Sequence, residues 1–511
     1  PSESDYRRNL QGARSRADLL QQGQREALLD VVDRAERRID RYAAALKISE
    51  QAKKIQKKLK PPSTSALAIE TELKGKKFDN IRQLGLYLDA RFNKVFGKPS
   101  FEIGGQEGID IASDAFVYDI IDGLAGDGSG MGWYDERVQE TIRELSKLHP
   151  EFATDSNALA VYIGILATTS QGYTVVENFK QANKVYNEYK RTGRIPTDFK
   201  FAKSSEPINS NLAQIQGLID ENGLDGYAEF MDQEVTGQAL RDQFGKTPTG
   251  VTLKDTVRGN RVLGPKIGSF FNNLRGQFDT ITMDLWYTRT MHRFLGETVV
   301  PLDSDKMQNA ITKFREELKK DGVRTYGIDL TEALKDDEAT VQAGLTLFQR
   351  WARGDNEYTE KGYFKFPDGY KIEKFARGIF SIGGMKGAPQ NKTHRQYFAK
   401  VVLEAKAKLA KLGMKLTEAD MQAIIWYREK NLFARTGVAN AAAKPADYLD
   451  AVMVARSGAQ AQEDIDPADL EAEDGDTNYS IASQSEIDRV NKALGGMNRG
   501  PDERLKVYQR A

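Results

Sequence analysis

Apolar positions along the chain recur at helical spacing, not at the alternation of strands. Between residues 13 and 59, Leu28, Val32, Ala35, Ile39, Tyr42 and Leu46 repeat at steps of three and four, with Arg, Asp and Glu between them. This pattern predicts a long amphipathic helix. It runs into Lys53, Lys54, Lys57, Lys58 and Lys60 and stops at Pro61-Pro62, where proline ends helices. The expected form is a solvated helical arm that packs on the body or on a protein partner, with a basic end that also suits DNA. Residues 61–135 read as a mixed connecting region, with Gly104-Gly105 and the run from Gly123 to Gly130 as loops. That run lacks the Gly-Lys-Ser/Thr ending of a phosphate-cradling loop, so a flexible connection is expected.

From residue 133 the pattern turns strongly helical. Asn157 to Thr168 is apolar nearly all round, as a buried central helix would be. A polar break, Thr169-Ser170-Gln171-Gly172, separates it from a second helix, about Val175 to Arg191. Residues 196–250 are less regular. Past 300 helices resume, and His394–Leu412 and Thr417–Arg435 are amphipathic. Thr417 is a candidate N-cap, Glu418 and Asp420 fall in the first turn, and Gly437 closes the segment. Trp426 and Tyr427 within it are expected in the core. Between Glu463 and Asp476 there are eight acidic residues and no basic one, the composition of a disordered linker. A short polar helix, roughly Ser485 to Leu494, and a basic tail follow. The chain shows no internal repeat. The expected organisation is a mainly α protein: an arm over 1–60, a connecting region over 61–135, a helical core over 136–300, a helical extension over 301–455, and an acidic linker with a short tail over 456–511.

Composition narrows the chemistry. The 511 residues contain no cysteine, which removes disulfides, thiolate zinc sites, iron–sulfur clusters and cysteine nucleophiles. Three histidines, His149, His292 and His394, make a His-rich metal centre unexpected, and no cofactor is called for. The 74 basic and 74 acidic residues cancel, so any nucleic-acid footprint must be local. No apolar run approaches the ~20 residues of a bilayer span, and the N-terminal residues resemble no secretory signal. A soluble, cytoplasmic protein is expected. A start at Pro1 suggests a processed, trimmed or excised polypeptide.

The local footprint lies over 250–295, where Lys254, Arg258, Arg261, Lys266, Arg275, Arg289 and Arg293 face only Asp255, Asp279 and Asp284. Such an excess fits a phosphate-contacting surface. Gly264-Pro265 is a tight turn opening a helix, whose first N–H groups can face an anion, and Lys266 sits in that first turn. Eighteen residues on, Asp284 starts another helix, with Arg289 and Arg293 one turn apart.

These residues resemble the helix-hairpin-helix DNA glycosylases of the endonuclease-III-like superfamily. Gly264-Pro265-Lys266 is similar to the end of that family's hairpin. Asp284, Arg289 and Arg293 fit its motif Asp-x-His-x-x-Arg-x-x-x-Arg, with Trp286 in the place of histidine. Upstream, Ile165 to Gln171 looks like the family's apolar helix ending in a Gln-containing turn, with Asn178 and Ala182 in the next helix. The match spans about 145 residues. The hairpin departs in having Val262 where the family has its first glycine. The resemblance implies a two-lobed helical core that grips DNA through the hairpin (Val262, Gly264, Pro265, Gly268) and Gln171, with Trp286 walling a base pocket. It implies Lys266 as the amine that attacks the sugar and forms a Schiff base, and Asp284 as the carboxylate that stabilises charge at the sugar. A DNA N-glycosylase with AP-lyase activity is therefore expected, DNA being the partner and no metal being involved. The rest of the chain is similar in texture to segments of very large multidomain phage proteins. The alternative expectation is a DNA-binding or virion-internal structural protein, in a host cytoplasm or virion interior, that retains the fold without the chemistry.

Overall fold

The computed structural model describes residues 46–126 except 75, 130–132, 138–171, 173, 175–201, 205–321, 329–352, 383–436 and a few isolated positions. Within them the protein is mainly helical, as its apolar spacing predicts. In chain order the helices and strands are α1 (Ala66–Leu73), α2 (Ile81–Phe96), α3 (Gly105–Ala125), α4 (Gln139–Leu148), α5 (Ser156–Thr169), α6 (Val175–Thr192), α7 (Ser205–Asp232), β1 (Glu234–Thr236), α8 (Gly237–Phe244), β2 (Thr256–Arg258), α9 (Pro265–Leu274), α10 (Leu285–Leu295), α11 (Asp305–Asp321), α12 (Asp337–Ala352), α13 (Lys392–Lys411) and α14 (Glu418–Arg435). Single helical turns lie between some of them. The strands β1 and β2 pair antiparallel, Glu234 opposite Arg258 and Thr236 opposite Thr256.

One lobe is built around α5. Asp155 caps it by accepting the Asn157 and Ala158 N–H groups, each at 2.9 Å, and every residue from Val161 to Thr169 is buried. Helices α6, α7 and α9 pack on it. Asn178 of α6 ties the two together by donating to the Leu166 carbonyl at 3.1 Å and accepting from Thr169 at 2.7 Å. Helix α7 is broken at Gly223, whose φ of 71° suits glycine. Val262, Leu263, Ile267, Phe270 and Phe271 complete this core.

A second lobe packs α3, α10, α13 and α14 around Phe116, Ile120, Phe294, Phe398, Val401, Met421 and Ile425. Helix α14 opens with a capping box in which Thr417 and Asp420 cap each other's backbone N–H. It then spans both lobes: Ala419 and Ala423 belong to the first core, Met421, Ile424 and Ile425 to the second. At the heart of the second lobe Arg293 is buried. It pairs with Asp119 at 2.7 Å and Glu429 at 2.6 Å, and donates to the Thr64 carbonyl at 2.5 Å. Arg428 beside it pairs with Glu70 at 2.6 Å and Asp122 at 2.7 Å. Smaller clusters join α11 to α12, and join α1 and α2 to Leu432 and Phe433.

This packing regroups the expected segments. The supposed connecting region holds α3, and its Gly123 lies inside that helix, where a Cβ would come within 2.9 Å of Ile424. Small residues here serve close helix packing, not a loop. Residues 196–250, expected to be irregular, supply α7 and α8. A boundary near 300 does not separate two cores, because α10 packs with α14 and, through His292 and Phe398, meets α13 from beyond it. At the end of the N-terminal arm, Ala52 is buried, Ile48 and Ile55 lie against the second core, and Gln56 donates to Asp122 at 2.7 Å. Leu28 to Tyr42, Gly437, the acidic stretch and the tail lie outside the described residues. No helix among the described residues is long and apolar enough to cross a membrane.

Candidate active site

Lys266 is positioned by the turn into α9. Gly264 has φ 95°, and nothing lies within 4 Å of where its Cβ would be, so only glycine turns here without strain and the space in front is open. Pro265 occupies the first helical position, and no side chain caps the helix. The Lys266 and Ile267 N–H groups therefore have no intrahelical partner. The arm before the turn is a five-residue 3-10 segment, Gly259–Leu263, not a full helix as a helix-hairpin-helix unit would have.

Asp284 is the N-cap of α10 and accepts the Tyr287 N–H at 2.8 Å. Burial pushes its carboxyl above the usual range. The Lys266 charge, the Tyr287 N–H, the Lys430 charge and the Trp426 indole N–H all act the other way. Lys266 thus stands close enough across the junction of the two lobes for its charge to be felt at Asp284, although the two form no direct ion pair. Two further residues stand beside Asp284. Lys430 of α14 sits 3.6 Å from the centre of the Trp426 ring and 5.8 Å from that of Trp286. Burial pulls its pKa down to about 8, against the opposing pull of Asp284. Trp426 was expected in the core, yet it is half-buried. The signal that could have found them is their spacing: positions 426 and 430 are one turn apart on a helix and share a face.

Trp286 is half-buried, edge-on to Phe433 at 5.4 Å, with the Arg289 guanidinium 4.8 Å over its face. It is thus partly a packing residue and partly a wall beside Lys430. Burial lowers the Arg289 pKa to about 10. Arg293 belongs to the buried ionic network.

The structure also redistributes the proposed DNA contacts. Val262 is buried in the first core, so its side chain does not face a ligand. Gly268 is buried as well, and a Cβ there would lie 2.7 Å from the Asn260 carbonyl oxygen; its glycine serves the close approach of α9 to the preceding turn. Gln171 folds back to donate to the Thr168 carbonyl at 3.1 Å. Of the basic cluster, Arg258 pairs with Asp279 at 3.2 Å and Arg275 with Asp232 at 2.6 Å, which removes much of the local excess. Arg261 gains a neighbour instead. Burial and the nearby Arg395 of α13 lower its pKa to about 10. Two guanidinium groups from different lobes therefore repel each other beside the Lys266 turn. Two surface hollows, one lined by Leu302, Arg315, Lys319 and Asp337 and one by Phe230, Val235 and Leu240, lie away from these residues.

No family model, curated protein or solved structure matches the chain. Its own geometry defines the class: a mainly helical protein with a half-buried carboxyl, two lysines and two indoles at the junction of its lobes.

Proposed function

We propose that the protein is a DNA N-glycosylase with AP-lyase activity, acting through Lys266 and Asp284. The observation that carries this reading is the placement of Lys266 in the first turn of α9, on one lobe, and of Asp284 at the N-cap of α10, on the other. A base flipped out of the duplex would enter at that junction, beside Trp286. The Lys266 amine attacks C1′ through its lone pair as the glycosidic bond breaks, and the base leaves with the bonding electrons and one of the amine protons. Cleavage of C1′–O4′, with O4′ taking a proton from solvent, gives the protonated Schiff base, from which loss of a C2′ proton to solvent expels the 3′ phosphate. Asp284 stabilises the positive charge developing at the sugar. Lys430, neutral above about pH 8, would relay the proton that leaves the Lys266 amine. Arg261 and Arg395, which no described carboxylate pairs, would hold a backbone phosphate that relieves their mutual repulsion.

The test is borohydride trapping on abasic duplex DNA, followed by base release from a panel of singly modified duplexes. Lys266→Gln should abolish trapping while DNA affinity changes little. Trapping that persists in Lys266→Gln but disappears in Lys430→Gln would move the nucleophile to α14. The buried Val262 and Gly268 and the shortened first arm of the hairpin favour a second reading, a DNA-binding or virion-internal protein without the chemistry. Salt-dependent DNA binding with neither trapping nor base release would select it.

A further inference from the structure

Two of the three histidines in 511 residues converge on one carboxylate. His292 lies in the last turn of α10, Glu297 follows that helix, and His394 lies in the first turn of α13. One donor atom from each of the three lies within 4.8 Å of the other two. The side chains of His292 and His394 are 0% and 2% exposed, while Glu297 is 16% exposed, so the group is enclosed yet reachable from one side.

Proton bookkeeping distinguishes this cluster from an ordinary buried ion pair. His292 Nε2 lies 3.3 Å from the Ala388 carbonyl oxygen, which can only accept, so Nε2 carries the proton. In the neutral ring Nδ1 is then bare. It is buried, has no hydrogen-bond partner among the described residues, and points at Glu297 Oε1 from 3.4 Å. A lone pair facing a carboxylate lone pair in a buried site is repulsive unless something positive lies between them. A metal cation held between the two supplies that charge.

We propose that His292, Glu297 and His394 bind one divalent transition-metal ion of the zinc type. Two imidazole nitrogens and one carboxylate oxygen form a recognised donor set for zinc, with a fourth position left for water. The surroundings suit it. Lys386 holds the other oxygen, Oε2, at 3.3 Å, which leaves Oε1 to the metal. The Ala388 carbonyl orients His292 as an outer-shell acceptor. Phe398 packs against both imidazoles, with ring centres 5.4 Å and 4.7 Å away, and Phe101 meets His394 edge-on at 5.2 Å, so bulk water is kept away. His394 Nε2 now donates to Glu297 and its Nδ1 accepts a long 3.4 Å contact from the Gln390 N–H. Metal binding at Nε2 shifts the ring proton to Nδ1, which then no longer accepts, so that weak contact is the one given up. The ion would clamp the end of α10 to the start of α13. It would lie about 12 Å along α10 from Asp284, at 1.5 Å per residue, and so would act on the fold and not on the reacting atoms.

The test uses the full chain, stripped with a chelator and titrated with Zn(II), with histidine rings labelled for NMR. We expect one zinc per chain, a raised melting temperature, and shifts in the rings of His292 and His394 while His149 stays still as an internal reference. Co(II) in place of zinc should give the absorption bands of a low-symmetry four- or five-coordinate site. Glu297→Gln and His394→Gln should each lose stoichiometric binding. Failure of the wild type to bind, binding with all three rings unmoved, or unchanged binding in both variants would overturn the assignment. The wild-type titration decides even if neither variant folds.

Discussion

The two lobes that meet at Lys266 and Asp284 are held together by different physics. The α5 lobe draws its core mostly from one stretch, residues 138–274, with Ala419 and Ala423 of α14 joining it, and fills it with aliphatic side chains and an aromatic group of Phe152, Tyr162 and Tyr186 around His149. The α3 lobe gathers segments up to 365 residues apart in sequence, the span between Glu70 and Arg435. It buries charge at their meeting points: Arg293 with Asp119 and Glu429, Arg428 with Glu70 and Asp122, and Glu297 with Lys386 and two histidines. Apolar packing is non-directional and tolerant. A buried guanidinium is satisfied only when each segment arrives in register, so the ionic network can specify which helices meet, whatever it contributes in net stability.

Breaking the network should have the largest effect. Glu429→Gln or Asp119→Asn leaves Arg293 incompletely paired in the interior, and each should cost about 3–5 kcal/mol in denaturant unfolding. A loss below about 1 kcal/mol would mean that water reaches the network and that the contrast between the lobes is shallow. Next, Asp284→Asn should slow base release by at least ~100-fold without weakening DNA binding, since removing a negative charge beside phosphates reduces repulsion. Equal losses in binding and in rate would make Asp284 a mere helix cap. In the apolar lobe, Ile215→Val trims a buried methyl group and should cost only about 0.5–1.5 kcal/mol, with Lys266 trapping unchanged.

A pH response centred on Lys430 tests the junction between the lobes. Its folded pKa of about 8 lies below the ordinary lysine value of roughly 10.4. Between those values the unfolded chain holds a proton that the folded chain lacks, so stability should rise with pH across that window, and the destabilisation is fully present below pH 8. Lys430→Met should flatten this rise, as measured by melting temperature from pH 7 to 10. A rise that persists in Lys430→Met would place the low-pKa group elsewhere.

Much of the α5 lobe could be read directly from the chain. The all-apolar run from Asn157 to Thr168 could only be a buried helix, and Val175–Thr192 and the capped helix from Thr417 follow from periodicity and cap chemistry. Asp284 as an N-cap and Lys266 in the first turn of its helix were legible because both depend on neighbours within four residues. The role of Val262 and Gly268 was not. Their environment is set by Asn260 and the rest of the first core, and sequence spacing does not report which face of a turn is covered.

The sequence by itself determined the helical class, the ends of the strongest helices and the turn that carries Lys266, because these arise from local propensity, periodicity and capping. Only tertiary structure decided that α3 is a core helix, that α10 belongs with α13 and α14, that Trp426 and Lys430 face Asp284, and that His292 and His394 share a carboxylate. Each of those depends on contacts more than 90 residues apart, where burial and charge pairing depend on how the helices pack and not on the local order of residues.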